Sequence, residues 1–484
     1  MPDRKKFDFD YGDSNRYTIK EVIGRGSYGV VCSAFDNKAK ETVAIKCIAD
    51  VFEHISDAVR ILREIKLLRF LKHPDVVAIR DIVLPPSPKA FKDIYVVFEL
   101  METDLHQVIK ANDDLTDEHF QYFLFQLLRG LQYVHSAKVF HRDIKPKNIL
   151  ANADCNVKIC DFGLARPHFN DMPTTIFWTD YVATRWYRAP ELCGSFFTRY
   201  SPAVDVWSVG CIFAELIRGK PLFPGRNVVH QLELITNLLG TPPAASVEKI
   251  RNDKARRYLS QMKPKQPEDW RKVFPMASPG AIGIMKRLLA FDHDERVTAE
   301  EALRDPYFQG LFQPSTIVKA KPLSKLEFGF DLKQLSEGEL RELMFREILE
   351  YHPDAKASYL ESVGGKRMVY QFPSQVDKFK MQFKNMAATG PGAGVGGGAV
   401  PGGSPAAVGS MGAMGGGLRT AASLPDQGMS ASFSMNRSDL GLGLGLEDVH
   451  GPPLSQSFTG AQLGGATDSL LKMSLDEVAS EEEE

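Results

Sequence analysis

Between residues 17 and 47 apolar and polar positions alternate in short runs, broken by Gly, Asp and Asn. This period of two predicts strands at 17–23, 30–35 and 42–47. The glycine-rich stretch 24–29 and a turn opening at Asp36-Asn37 separate them. The period then lengthens. Ser56 stands where a cap would open a helix running to about residue 71, with Ile61, Ile65 and Leu68 on one face. Residues 17–97 thus read as a small, mostly antiparallel sheet with one helix. From residue 105 onward the pattern is helical. Thr116 precedes Asp117 and Glu118, acids suited to a helix N-terminus. Phe120, Phe123, Leu124, Leu127, Leu128 and Leu131 follow at helical spacing, and so wide an apolar stripe predicts a core helix. The fold class is α+β: a small β lobe, then a larger helical lobe, with a cleft between them of the kind that holds ligands.

Composition changes this picture at one place. Residues 387–484 are rich in Gly, Ala, Ser, Met and Pro and nearly free of aromatics, so they cannot bury enough apolar surface to offset ordering entropy. They are expected to be disordered. Within them Leu471, Leu475 and Val478 follow Thr467 and Asp468 at helical spacing, enough for a short or transient helix, and 481–484 form an acidic end. The 484 residues, 43% of them hydrophobic, otherwise leave room for two or three domains. A formal charge of −2 gives no global pull toward nucleic acid or anionic membrane, and neither is expected as a partner. The six cysteines form no Cys-x-x-Cys pair and no His pair has zinc-like spacing, which points to free thiols. No signal-peptide run opens the chain and no apolar stretch is long enough to span a bilayer, so a soluble intracellular protein is expected.

The candidate chemistry begins with Gly24-Arg25-Gly26-Ser27-Tyr28-Gly29-Val30-Val31, which fits G-x-G-x-x-G-x-V. Glycines let a hairpin backbone approach phosphates, and a strand rather than a helix follows them, which disfavours a dinucleotide fold. Taken alone, it is only a glycine-rich hairpin. Val43-Ala44-Ile45-Lys46 ends a strand in a lysine. Alternation puts Ala44 and Lys46 on one face, and Glu64 on the following helix could pair with Lys46 and hold it for phosphate contact. Next comes His141-Arg142-Asp143-Ile144-Lys145-Pro146-Lys147-Asn148, then Asp161-Phe162-Gly163. Asp143 is the candidate catalytic base, and Lys145 can steady a transferring phosphate. Asn148 and Asp161 offer hard oxygen ligands for magnesium. Phosphoryl transfer needs in-line positioning and cations that neutralise phosphate charge, and these parts appear in the order that task requires.

On these motifs, residues 17–308 resemble a eukaryotic protein kinase, with ATP and Mg2+ implied. Ala189-Pro190-Glu191 resembles the close of that family's activation segment, and Asp205-Val206-Trp207-Ser208-Val209-Gly210 the helix that anchors the catalytic loop. The resemblance pairs Arg296 with Glu191. It implies adenine at a hinge near Glu99 to Met101, with Phe98 behind it and Ile23, Val30, Val31 and Ala44 around the nucleotide. Thr179-Asp180-Tyr181, before Val182-Ala183-Thr184-Arg185-Trp186-Tyr187-Arg188, is similar to the T-x-Y lip of mitogen-activated protein kinases. The T-D-Y form, Phe177-Trp178 and the long tail resemble the plant-type branch. A cyclin-dependent enzyme is disfavoured, since the helix around Glu64 lacks a cyclin-reading pattern. The implied layout is an N-terminal extension (1–16), a small lobe (about 17–100), a large lobe (about 101–308), an extension wrapping back on the small lobe (309–386) and the tail (387–484).

The same resemblance implies a Ser/Thr kinase for Ser/Thr-Pro sites, switched on when a dual-specificity MAP kinase kinase phosphorylates Thr179 and Tyr181 and switched off by phosphatases. Each phosphate adds about −1.5 to −2 charges. Arg63, Arg142 and Arg166 would receive that on Thr179, and Arg185 and Arg188 that on Tyr181. Without phosphate, the clustered arginines should repel one another. Ser404-Pro405 is a candidate self-phosphorylation site. Localisation is expected in the cytoplasm, with nuclear entry left open. Lys319, Lys321 and Lys325 stand where relatives carry an acidic docking cluster, and Lys147 stands where many have a small polar residue. A non-catalytic scaffold of the same fold, or a protein acting mainly through its tail, is the alternative reading.

Overall fold

The computed structural model describes residues 9–12, 15–26, 29–111, 115–169, 185–193, 201–250 and 253–362. All of them fall in one compact unit. Ser27, Tyr28, the lip residues Thr179 and Tyr181, and the tail 387–484 lie outside the described residues.

The small lobe is a five-stranded antiparallel sheet. Its strands β1 (Tyr17–Gly26), β2 (Gly29–Asp36), β3 (Glu41–Ile48), β4 (Ile79–Ile82) and β5 (Ile94–Glu99) lie in the order β1-β2-β3-β5-β4. Alternation on β3 decides what faces what. Val43 and Ile45 enter a cluster with Tyr17, Cys32, Ala34, Val83, Tyr95 and Val97, which leaves Ala44 and Lys46 on the opposite face. Residues 9–12 cover that cluster. The Tyr11 hydroxyl donates to the Asp93 carbonyl (2.7 Å) and its ring meets Tyr95 edge-on at 5.3 Å.

Two boundaries differ from the sequence reading by more than one residue. The first strand runs past residue 23 to Gly26, because Gly24 and Gly26 still pair across the hairpin with Val31 and Gly29. The helix α1 (Ile55–Phe70) is not capped by Ser56, which lies inside its first turn. His54 is the cap residue, and its carbonyl already accepts from Ala58 N at 3.1 Å.

The large lobe opens with β6 (Thr103–Asp104) and α2 (Leu105–Lys110), whose first turn is capped by the Asp104 carboxylate accepting from Gln107 N (2.9 Å). The core helix α3 (Asp117–Ser136) follows, with Thr116 at its cap and His119 reaching back to the Thr116 N–H (3.1 Å). Short strands β7 (Val139–Phe140), β8 (Ile149–Ala151), β9 (Val157–Ile159) and β10 (Arg166–Pro167) then carry the loops of the candidate site. Beneath them lies α4 (Pro202–Arg218), buried along nearly its whole length with Trp207 and Phe213 in the core. Among the described residues no helix is long and apolar enough to cross a membrane.

One residue of α4 gives a pH prediction. Glu215 is buried and accepts a hydrogen bond from the Tyr187 hydroxyl (2.8 Å). Burial outweighs that bond and pushes its pKa from 4.5 up to about 7. The folded state therefore holds this proton more tightly than the unfolded chain. The associated stability is complete below pH 4.5 and lost as pH rises through about 7. Glu215→Gln should match wild type at acid pH and exceed it by on the order of 2–3 kcal/mol at pH 8. Denaturant melts of both proteins across that range check this. Parallel curves would show that the carboxyl is not the cause.

After residue 308 the chain returns to the small lobe. A 3-10 run (Lys325–Leu332) and a helix (Glu337–Leu349), opened by a Ser336–Glu339 capping box, lie against α1. Glu347 of that helix meets both Lys66 (2.9 Å) and Arg69 of α1. His352 contacts the Ile82 carbonyl of β4 at 2.6 Å.

Candidate active site

The glycine hairpin forms one wall. Gly24 lies opposite Val31, Arg25 opposite Val30 and Gly26 opposite Gly29, and Ile23 is largely exposed. Gly29 cannot be another residue. Its φ is +143°, and a Cβ there would stand 1.9 Å from the Cys47 carbonyl oxygen. Across the sheet Ala44 pairs with Phe98. The Glu99 carboxylate turns away from the strand and accepts from Ala78 N (3.1 Å) and Lys158 (3.2 Å). Met101 is buried just beyond.

Lys46 Nζ stands 3.6 Å from Glu64 Oε2, so β3 and α1 bring together the two residues expected to pair. Burial works against the Lys46 ammonium. Glu64 and Asp161 facing it more than compensate, and its pKa lies above the usual lysine value. It stays charged.

The loop between β7 and β8 is held from beneath by one carboxylate. Asp205, in the first turn of α4, accepts from the backbone N–H of His141 (2.9 Å) and of Arg142 (2.8 Å), and contacts His135 Nε2 (2.9 Å). Burial tends to raise its pKa, but these partners hold it below the ordinary carboxylate value. His141 ties the loop to the Asp161 turn. Asp143 N donates to its Nδ1 (3.3 Å), so the ring proton sits on Nε2 and is donated to the Cys160 carbonyl (2.9 Å). Its ring also meets Phe162 edge-on at 4.8 Å. Arg142 adopts the left-handed backbone (φ 73°).

On this frame the acidic groups converge. Asp143 Oδ2 is 3.1 Å from Lys145 Nζ and accepts from Asn148 Nδ2 at 3.0 Å. The same Nδ2 donates to the Asp143 carbonyl (2.9 Å). Asn148 thus spends its amide nitrogen on Asp143, which leaves its carbonyl oxygen as its ligand atom. Asp161 is also left-handed (φ 61°, ψ 73°). Gly163 N donates to its Oδ1 at 3.4 Å, and the carboxylate faces Lys46 closely enough to act on its charge. An amide oxygen and a carboxylate are hard donors of the type magnesium takes, so the donor set fits that ion.

Three of the arginines come together around residues 163–165. Arg63 Nη1 donates to the Gly163 carbonyl (3.1 Å), Arg142 Nη1 to Leu164 (3.4 Å) and Arg166 Nη1 to Ala165 (2.9 Å). Each donates to at least one backbone carbonyl, and Arg63 also forks the Asp331 carboxylate (Nε 3.0 Å, Nη2 2.9 Å). Arg185 sits apart and donates to the Gly225 and Arg226 carbonyls. Arg188, at the other end of the 185–187 turn, is half-buried. The sequence reading misses Asp331, and it misses Glu215 beneath Tyr187. Neither stands in a motif or at a helical or strand spacing from its partner.

A family model described as protein kinase domain matches residues 17–308. The chain is 65% identical over 381 residues to mitogen-activated protein kinase 8 of Arabidopsis thaliana, covering 79% of this chain and 64% of that protein. It is 64% identical over 388 residues to mitogen-activated protein kinase 15 of the same plant, covering 80% and 67%. With mitogen-activated protein kinase 17 of Oryza sativa subsp. japonica it shares 64% over 387 residues, covering 80% and 66%. The chain thus spans about two thirds of the length of these relatives, and slightly less for the first.

Proposed function

Since the chain belongs to the protein kinases, and among them to the mitogen-activated protein kinases of plant type, we propose that it transfers the γ-phosphoryl group of ATP to serine or threonine followed by proline in protein substrates. The observation that carries this reading is that Lys46, paired with Glu64, faces Asp161, while Asn148, bonded to Asp143, is tied to the residue before Asp161 by the Cys160 N–H (3.0 Å). Lys46, fixed by Glu64, would take the α- and β-phosphates, under the glycine hairpin. The segment from Phe98 to Met101 would receive the adenine by backbone contact, because the Glu99 side chain is engaged elsewhere. Magnesium, when held by Asn148 and Asp161, would neutralise charge on the phosphate oxygens. Asp143 orients the substrate hydroxyl and accepts its proton. The alcohol oxygen bonds to the γ-phosphorus as the bond to the β–γ bridging oxygen breaks, and ADP leaves. Lys145 steadies the group in transit.

The switch we propose is phosphorylation of Thr179 and Tyr181 by an upstream dual-specificity MAP kinase kinase, reversed by phosphatases. Arg63, Arg142 and Arg166 are already gathered where one phosphate would add charge-assisted hydrogen bonds, and Arg185 and Arg188 would serve the second. Partners that dock on relatives through an acidic cluster would meet Lys319, Lys321 and Lys325 here, and Lys319 already pairs with Glu300 (2.9 Å). The proposed compartment is the cytoplasm. To test the switch, wild type, Thr179→Ala and Tyr181→Phe are treated with an upstream kinase and assayed on a Ser-Pro peptide. Wild type should be activated and both variants should stay at the untreated rate. Equal rates in all three would reject the dual switch.

A further inference from the structure

Arg63 and Asp331 are 268 positions apart, and both side chains are 6% exposed. The carboxylate takes the guanidinium by Nε and Nη2, the two-pronged geometry that fixes an arginine's plane as well as its charge. With that edge fixed, Nη1 points at the Gly163 carbonyl (3.1 Å), in the turn that Asp161 caps through its own carboxylate. One connected path therefore runs from the C-terminal extension, through α1, to the residue proposed to hold magnesium. A second tie, Glu347 with Lys66 and Arg69, joins the same extension to the far end of α1 without touching the Asp161 turn. Three of the five N–H groups of Arg63 are spent on these described partners, so two remain for a further oxyanion group.

We propose that Asp331 is a positioning residue for catalysis: by forking Arg63 it aims that guanidinium at Gly163 and so holds the Asp161 turn in its magnesium-ready form. The activity part of this proposal rests on the kinase reading above. The structural part does not. Asp331 touches no reacting atom, and its effect travels through Arg63 alone. Glu347 serves as the internal contrast, because it loads the same helix from the same extension by a different route.

The test uses full-length Asp331→Asn, Asp331→Glu and Glu347→Gln proteins. Amide hydrogen exchange of the nucleotide-free protein is read at residues 162–166 and 66–70. Asp331→Asn should exchange faster at 162–166 by about tenfold, the change expected when a contact worth about 1.4 kcal/mol is lost. Asp331→Glu should restore much of the protection. Glu347→Gln should loosen 66–70 and leave 162–166 at the wild-type rate. In the activated enzyme, Asp331→Asn should lower kcat several-fold and raise the half-saturating magnesium concentration, with KM for the peptide unchanged. The proposal is overturned if the Asn variant keeps wild-type exchange at 162–166. It is equally overturned if Glu347→Gln produces the same pattern, since that would mean general loosening. The exchange pattern without any phosphoryl transfer by wild type would confirm the tie and sink the kinase reading instead.

Discussion

Replacing Asp143 with alanine is expected to lower kcat for phosphoryl transfer by on the order of 10³-fold, the range a positioned general base contributes. The fold should survive. The loop is anchored by Asp205 through the backbone N–H groups of His141 and Arg142, and neither bond involves the Asp143 side chain. What the substitution removes is the carboxylate that Asn148 Nδ2 (3.0 Å) and Lys145 (3.1 Å) hold in one orientation. Both partners stay behind, and Lys145 keeps enough solvent contact to lose its ion pair without unfolding the loop. The measurement is kcat of the doubly phosphorylated protein at saturating Mg-ATP and peptide, beside nucleotide affinity and Tm. Nucleotide affinity should change by only a few-fold, because Asp143 is proposed to face the alcohol and not the phosphates. Lys46→Met should do the reverse and weaken the grip on nucleotide as well as the rate. A rate for Asp143→Ala within tenfold of wild type, at unchanged Tm, would remove Asp143 from the mechanism.

Much of this site is legible in local regularities of the chain. The alternation Val43-Ala44-Ile45-Lys46 places Lys46 on the inner face. The helix after it carries Glu64 at a spacing that reaches it, and the two stand 3.6 Å apart. The run from His141 to Asn148 and the Asp161 turn are short motifs whose members meet because a loop of a few residues brings them together. Contacts with no local signature are not legible. Asp331 reaches Arg63 only because the extension folds back, and no periodicity within either segment encodes that return. The reading of Ser56 as a cap fails for a related reason. Sequence favours a hydroxyl at a helix start, but the backbone of His54 already accepts the first helical bond. The bonds from Arg63 and Arg142 to the carbonyls of Gly163 and Leu164 are likewise contacts with no local signature.

The largest stability effect is expected from Arg296→Ala, at about 3–5 kcal/mol, the cost of breaking a buried ion pair by removing one partner. The Arg296 side chain is fully buried, and all five of its N–H groups have acceptors. Nη1 takes Glu191 Oε1 (2.8 Å) and the Ala203 carbonyl (2.7 Å); Nη2 takes Glu191 Oε2 (3.1 Å) and the Phe291 carbonyl (3.3 Å). Nε takes the Ala290 carbonyl (3.0 Å), and the guanidinium lies 4.9 Å from the Trp207 ring centroid. Alanine would take a donor from three carbonyls and remove from the Glu191 carboxylate the forked guanidinium that pairs with it. Lysine would keep the charge but lose the fork, so Arg296→Lys should recover only a minor part. For a domain of this size, Tm should fall by roughly 5–10 °C in the alanine variant. The decisive comparison is the double variant Arg296→Ala with Glu191→Ala, because removing the carboxylate that faced the lost guanidinium should return part of the loss. Simple additivity of the two single changes would mean that the fork contributes nothing beyond packing, and that the turn carrying Glu191 is held to α4 by some other contact.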